Sequence, residues 1–191
     1  KKSLEKYSNL KNFMSSPREY HPEYGWNLKK NYEFYYLTED NHVVRRVTKN
    51  MGFASNYDNN IYSKKYKILI VGDSFTEGLG VDTEKSWPNQ LQDIIKNNLT
   101  KNIEIYNAAV AGYNLDQYYF RIRELDELIK PDLILLGFSS ATDFYDVGKN
   151  KRYFVYGKKI GRIDFEIKNN LLIENSSLNS QRFFEKEDSN V

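Results

Sequence analysis

The sequence lacks three features that would point to particular classes of protein. It contains no cysteine, which excludes disulfide bonds and thiolate metal sites. It has no apolar run long enough to span a membrane as a helix. It also lacks an excess of one charge, since 28 lysine and arginine residues oppose 26 acidic ones and the net charge is +2. We therefore expect neither nucleic acid nor an anionic membrane as the main partner.

Histidine is scarce, and the chain has no starting methionine. The only two histidines are His21 and His42, so a reaction that needs a histidine base has few candidates in this chain. The chain begins with Lys1 rather than Met, and we expect that an upstream targeting segment was removed.

What is present is enough sequence for one domain with a real core, since the chain has 191 residues. Residues 1–65 are rich in Tyr, Asn and Lys, and we interpret them as an N-terminal arm that packs on the core. Short extended segments are predicted within the arm at 33–37 and 43–47. Residues 66–191 are predicted to form the main domain, with an insertion of short antiparallel strands at about 153–173.

The main domain alternates between buried strands and amphipathic helices. The predicted elements are a strand at 67–71, a helix at 87–98, a strand at 103–106, a helix at 115–129 and a strand at 132–138. This order is typical of an α/β fold in which a parallel sheet is built with right-handed crossovers.

Polar or glycine-containing segments follow each of the three strands, at 72–78, 107–113 and 139–143. Ligands of open parallel sheets bind at the C-terminal ends of the strands, so these segments are expected to face one crevice. Ser74 is the best candidate nucleophile, because it lies just past a buried strand in a turn bracketed by glycine. The alternative interpretation is that Asp73 and Ser74 only cap a helical turn.

Two of these segments resemble motifs of the SGNH (GDSL-type) hydrolase family. The sequence GDSFTEG at 72–78 resembles the first motif block of the family, and NAAVAG at 107–112 resembles the second. The segments YHPEYGW at 20–26 and NMGF at 50–53 are similar to lead-in segments of a bacterial subgroup. The resemblance covers about residues 20–175.

The resemblance implies a flavodoxin-like three-layer sandwich with a parallel sheet and a serine ester hydrolase that needs no cofactor. Ser74 would be the nucleophile, and the backbone N–H of Gly112 would contribute to the oxyanion hole. Asp73 and Asp143 would line the substrate site. The family also makes an extracytoplasmic location the favoured one.

The sequence departs from the family pattern in two places. The third block usually carries Gly-x-Asn-Asp, but here the segment at 141–146 reads ATDFYD, so Thr142 stands where an asparagine oxyanion donor is expected. Loss of one such donor typically lowers turnover by about 10²–10³-fold. The Asp-x-x-His block that supplies the catalytic base is absent, and His21 and His42 are both interpreted as structural or solvated.

We interpret the missing histidine as truncation rather than inactivation. The strand at 133–136 is apolar on both faces, as expected of a strand with neighbours on both sides. Further strands, and the helix carrying the catalytic histidine, would then follow residue 191.

Other functions remain open at this point. The same site is also compatible with an O-acyltransferase acting on cell-envelope glycans, or with an inactive carbohydrate-binding module. For both the ester hydrolase and the O-acyltransferase, the expected substrate is a small-molecule or glycan ester. Nucleotide binding is disfavoured because the glycine spacing matches neither the dinucleotide fingerprint nor the P-loop. No metal site is expected, because the acidic residues concerned are too scattered: Asp73, Asp82, Asp143 and Asp146.

Overall fold

The computed structural model describes residues 7, 9–99, 102–140, 143, 153–155, 158–160 and 164–175. In chain order, the strands are β1 (Arg18–His21), β2 (Gly25–Leu28), β3 (Glu33–Leu37), β4 (Val43–Val47), β5 (Tyr66–Gly72), β6 (Ile103–Asn107), β7 (Leu133–Gly137), β8 (Tyr153–Val155), β9 (Lys158–Ile160), β10 (Asp164–Lys168) and β11 (Leu171–Asn175). The helices are α1 (Ser74–Glu77), α2 (Trp87–Asn98) and α3 (Leu115–Ile129). Single 3-10 turns lie at Asn50–Gly52 and Thr83–Lys85.

The centre of the fold is a parallel three-stranded sheet in the order β6–β5–β7. The first strand thus lies in the middle, with the second and third strands of the α/β unit on either side. This is the start of the flavodoxin-like strand order. Strand β5 is buried from Ile68 to Gly72, as its β-branched sequence predicts for a central parallel strand.

Helices cover the two faces of this sheet and complete three layers. On one face, Ile95 of α2 packs with Ile68, Ile70 and Ile105 of the sheet. On the other face, α3 packs against side chains of β5 and β6 in the larger core cluster. The predicted α/β sandwich with a parallel sheet is therefore confirmed for the described part of the chain.

Helix α3 begins and ends at residues whose local sequence favours a helix terminus. Asn114 and Gln117 form a reciprocal capping box, in which each side chain hydrogen-bonds the backbone N–H of the other residue. At the C-terminus, Lys130 adopts a left-handed conformation with φ of 53°, and Pro131 prevents the helix from continuing. Its predicted bounds, like those of α2, match the structure.

The N-terminal arm contributes directly to the core. Strands β1 and β2 form one antiparallel hairpin, and β3 and β4 form another. Tyr24, Trp26 and Leu28 from the first hairpin are almost completely buried in the cluster that also contains α3. The arm therefore packs against the same elements that carry the candidate site.

Strand β7 differs from its expected environment. It pairs with β5 on one side, and within the described residues no strand pairs with its other edge. The side chains of Leu133, Ile134 and Leu136 are between 38% and 48% exposed. The expectation that this strand is buried on both faces is therefore wrong for the described part of the chain.

The last described strands form two antiparallel hairpins, β8 with β9 and β10 with β11.

None of the described helices is long and apolar enough to cross a membrane.

Candidate active site

The first part of the site is the turn that joins β5 to α1. Asp73 is the N-cap of this short helix, and its Oδ1 accepts a hydrogen bond of 2.9 Å from the backbone N–H of Phe75. Gly78 ends the helix in a left-handed conformation with φ of 88°. Ser74 is the first helical residue and is half-buried at the C-terminal edge of the sheet. Within the described residues, its hydroxyl makes no hydrogen bond.

This turn is seated on the sheet through two glycines that face each other. Gly72 of β5 is in register with Gly137 of β7, and Thr76 of α1 lies over both. A Cβ at Gly72 would lie 2.6 Å from Thr76 Cβ and 2.9 Å from Gly137 O. Side chains at either glycine would therefore push α1, and with it Ser74, away from the sheet.

The second part of the site is the loop after β6. The N–H of Val110 donates a hydrogen bond of 3.1 Å to Gly72 O, which joins the loop to the turn that carries Ser74. Asn107 Nδ2 donates to Thr76 O at 3.3 Å and makes a second connection. Gly112 is exposed at the end of this loop with φ of 83°, a conformation that favours glycine. The structure thus places Gly112 in a loop bonded directly to the serine turn.

A buried carboxylate under this loop was missed in the sequence. Glu77 is 1% exposed, and its Oε2 accepts a hydrogen bond of 2.7 Å from the N–H of Ala111. Its partner is Arg46 of β4, whose Nη2 lies 3.4 Å from Glu77 Oε1. No local sequence pattern would have revealed this pair, because the two residues are 31 positions apart.

Asp143 forms the third part of the site. Its carboxylate is 1% exposed and accepts hydrogen bonds from the N–H of Ser139, at 2.8 Å, and from the hydroxyl of Tyr118. Burial raises the pKa of Tyr118, and the charges of Asp143 and Asp73 raise it further, so the phenol stays protonated and donates. Thr142, the expected oxyanion donor, lies outside the described residues. Substrate contact by Asp73 or Asp143 stays a prediction.

Neither histidine is placed against the serine. His21 stacks on Tyr24 with ring centroids 3.6 Å apart, and its Nε2 is 3.8 Å from Glu124 Oε1. His42 is exposed and lies beside Asp40.

Among the described residues, no group of three or more acidic or histidine side chains is arranged to bind a metal ion.

The chain was compared with protein-family models, curated proteins and solved structures. No family model matches the chain. The crystal structure of TesA aligns over 42% of this chain and 44% of that chain, with 25% identity and a TM-score of 0.39. An arylesterase from Vibrio mimicus is 30% identical over 70 residues, which is 37% of this chain and 34% of the arylesterase. The chain thus aligns with about a third of the length of that relative.

The motif blocks lie in the expected order on consecutive parallel strands, and the esterase relative matches across part of the same chain. Over that part of its length, the chain is similar to an esterase. Within the described residues, the Ser74 hydroxyl has no hydrogen-bond partner, and it lies at a strand-to-helix turn on the same edge of the sheet as the glycine-containing loop after β6. That arrangement suits acyl transfer to serine, because backbone N–H groups near the serine can stabilise a developing oxyanion.

Proposed function

We propose that the domain is a serine ester hydrolase that uses Ser74 to form an acyl-enzyme. The observation that carries this proposal is the hydrogen bond from Val110 N–H to Gly72 O, which joins the loop of Gly112 to the serine turn. This hydrogen bond favours a site in which the turn after β5 presents the Ser74 nucleophile and the loop after β6 presents an N–H donor.

In the proposed reaction, Ser74 Oγ attacks the acyl carbonyl carbon while its proton passes to a general base. The N–H groups of Ser74 and Gly112, with Thr142 as a third donor, stabilise the oxyanion. Collapse of this intermediate releases the alcohol, which takes up the proton, and water then cleaves the acyl-enzyme. We propose that the base is a histidine of an Asp-x-x-His block that the given 191 residues do not contain, since His21 and His42 both lie with other partners.

The substrate is proposed to be a small-molecule or glycan ester. An O-acyltransferase would use the same first half-reaction and pass the acyl group to a glycan hydroxyl instead of water. The two activities are distinguished by adding an oligosaccharide acceptor and measuring how much of the acyl group is transferred to it and how much is released by water.

Fluorophosphonate labelling of the product of the entire gene tests the proposal. We expect one label per chain, mapped by mass spectrometry to Ser74, and its loss in Ser74→Ala. Ser63→Ala, which changes a serine outside the site, should label like the wild type. A folded protein that does not label at Ser74 and does not cleave phenyl acetate would contradict the proposal and favour a carbohydrate-binding module.

A further inference from the structure

The candidate oxyanion donor is held by side chains of the N-terminal arm. The N–H of Gly112 belongs to the peptide unit whose carbonyl is Ala111 C=O. Two arm side chains lie on that carbonyl, since Trp26 Nε1 and Arg18 Nη2 both donate to it at 3.4 Å. In a trans peptide the N–H points opposite to the C=O. These contacts therefore aim the Gly112 N–H away from Trp26 and the core.

The preceding peptide unit is fixed in the same way from the other side. Glu77 Oε2 accepts the hydrogen bond of 2.7 Å from Ala111 N–H. The backbone on both sides of the Ala111 Cα is thus tied to side chains, one from α1 and two from the arm. A donor held in this way needs no rearrangement when charge develops in the transition state, which is the condition for strong oxyanion stabilisation.

Arg46 holds Glu77 in the position that this contact requires. Its Nη2 donates to Glu77 O at 2.6 Å and also lies near the carboxylate, while its Nη1 donates to Gly78 O at 2.8 Å and Val81 O at 3.3 Å. The Glu77 and Gly78 carbonyls lie where α1 ends, and the Val81 carbonyl lies in the loop that follows. One guanidinium satisfies all three and also neutralises the buried carboxylate. The planar fork of arginine makes these contacts possible, and a lysine has no equivalent geometry.

A buried ion pair of this kind is a poor source of stability. Desolvation of the two charges offsets most of their attraction, and well-packed apolar side chains of similar volume often serve as well. The Arg46–Glu77 pair is almost fully buried, at 2% and 1% side-chain exposure. Its location at the junction of α1 and the 107–113 loop offers a different reason for its presence.

We propose that Arg46 is a positioning residue that acts through Glu77 to orient the backbone N–H of Gly112 toward the acyl carbonyl. The inference rests on the proposed ester hydrolase function and adds a role for the N-terminal arm in it. The hydrogen bonds of the Arg46 side chain go to Glu77, Gly78 and Val81 rather than to Ser74. It sets the geometry of a donor that is 66 residues away in sequence.

The test uses a volume-conserving double variant, Arg46→Met with Glu77→Leu, which removes both charges and the acceptor for Ala111 N–H. Its matched control is Arg121→Met with Glu124→Leu, which removes the ion pair on α3 between a buried arginine and a glutamate that is 25% exposed. For the first variant we expect kcat for phenyl acetate to fall by about 10²-fold, with KM changed by less than about threefold. The control should keep kcat within about threefold of the wild type.

A second readout does not depend on activity. Backbone amide exchange of Ala111 and Gly112, followed by NMR, should become at least about tenfold faster in the Arg46/Glu77 variant and stay near the wild-type rate in the control. If the double variant fails to fold, Glu77→Gln and Arg46→Lys replace it, with a smaller effect of about tenfold on kcat expected. Unchanged exchange at both amides, or unchanged kcat in a labelling-competent variant, would overturn the inference. Faster exchange in a protein whose Ser74 never labels would instead reject only the esterase proposal.

Discussion

The hydroxyl of Tyr118 on α3 lies 3.2 and 3.3 Å from the two carboxylate oxygens of Asp143. This contact ties the segment after β7 to helix α3. Asp143 also accepts the N–H of Ser139, so its carboxylate connects a helix and a loop that are far apart in sequence. Because the Tyr118 pKa is raised, its hydroxyl keeps the proton that it donates to Asp143 as the pH rises.

Removal of that hydroxyl in Tyr118→Phe should therefore destabilise the domain and loosen the third segment of the site. A buried carboxylate loses one hydrogen-bond donor, which typically costs about 1–3 kcal/mol. We expect a loss of this size in the free energy of unfolding in urea and slower fluorophosphonate labelling of Ser74. Tyr119→Phe is the control, since this neighbouring side chain is 52% exposed, and it should change stability by less than about 0.5 kcal/mol. Equal effects of the two substitutions would contradict the assigned contact.

Gly137→Ala should displace α1 through Thr76. The added Cβ would lie 3.0 Å from Thr76 Cβ and 3.1 Å from Thr76 Cγ2, and closer still to its hydroxyl oxygen. Overpacking of this kind typically costs about 1–3 kcal/mol. We expect this loss in thermal unfolding, together with slower labelling of Ser74, because the helix that begins at Ser74 has to move.

The same contact provides a rescue experiment. Thr76→Ala removes both the Oγ1 and the Cγ2 atoms, so the double variant Gly137→Ala with Thr76→Ala should recover part of the lost stability. Additive losses in the double variant would show that Gly137 is intolerant for a reason unrelated to Thr76.

The capping box of α3 should account for a measurable part of its stability. Asn114→Ala removes the side chain that accepts from Gln117 N–H and should cost about 1 kcal/mol in the free energy of unfolding. Asn114→Ser keeps a side-chain oxygen at the cap and should cost about half as much or less. A loss for serine as large as that for alanine would indicate that packing of Asn114, rather than its hydrogen bond, is what matters.

Stability should fall in acid through Glu124. Burial alone would raise the pKa of this carboxyl, but contact with His21 and the charge of Arg121 outweigh burial and lower the pKa to about 2. A carboxylate with a lowered pKa stabilises the folded state above its ordinary pKa, near 4.5, and this contribution disappears as the pH falls toward 2. Given its partial exposure, we expect a contribution of about 2 kcal/mol.

Urea unfolding of the wild type and Glu124→Gln from pH 7 to pH 2 measures this contribution. The difference between the two proteins should be largest above pH 5 and should shrink steadily below it. The exposed Glu127→Gln on the same helix should show no such pH-dependent difference. A difference between wild type and Glu124→Gln that is constant with pH would mean that the charge of Glu124 is not what stabilises the fold.

Local sequence signals determined much of the fold. The bounds of α2 and α3 could be predicted because apolar spacing, Pro88, the Asn114–Gln117 pair and Pro131 all act within a few residues. The three parallel strands were predicted to within one or two residues at each end, since each is a compact apolar run. The first hairpin, Arg18–His21 with Gly25–Leu28, escaped prediction because its strands are four residues long and mixed in polarity.

The sequence by itself determined that Ser74 follows a buried strand, that a glycine-containing loop follows the next one, and that no histidine comes after His42. Only the tertiary structure decided that Arg46 neutralises Glu77, that Glu77 holds Ala111, and that Tyr118 holds Asp143. The physical reason is the range of the interactions. Helix caps and apolar periodicity depend on neighbours along the chain, whereas a buried charge takes its partner from whatever the packed layers bring beside it.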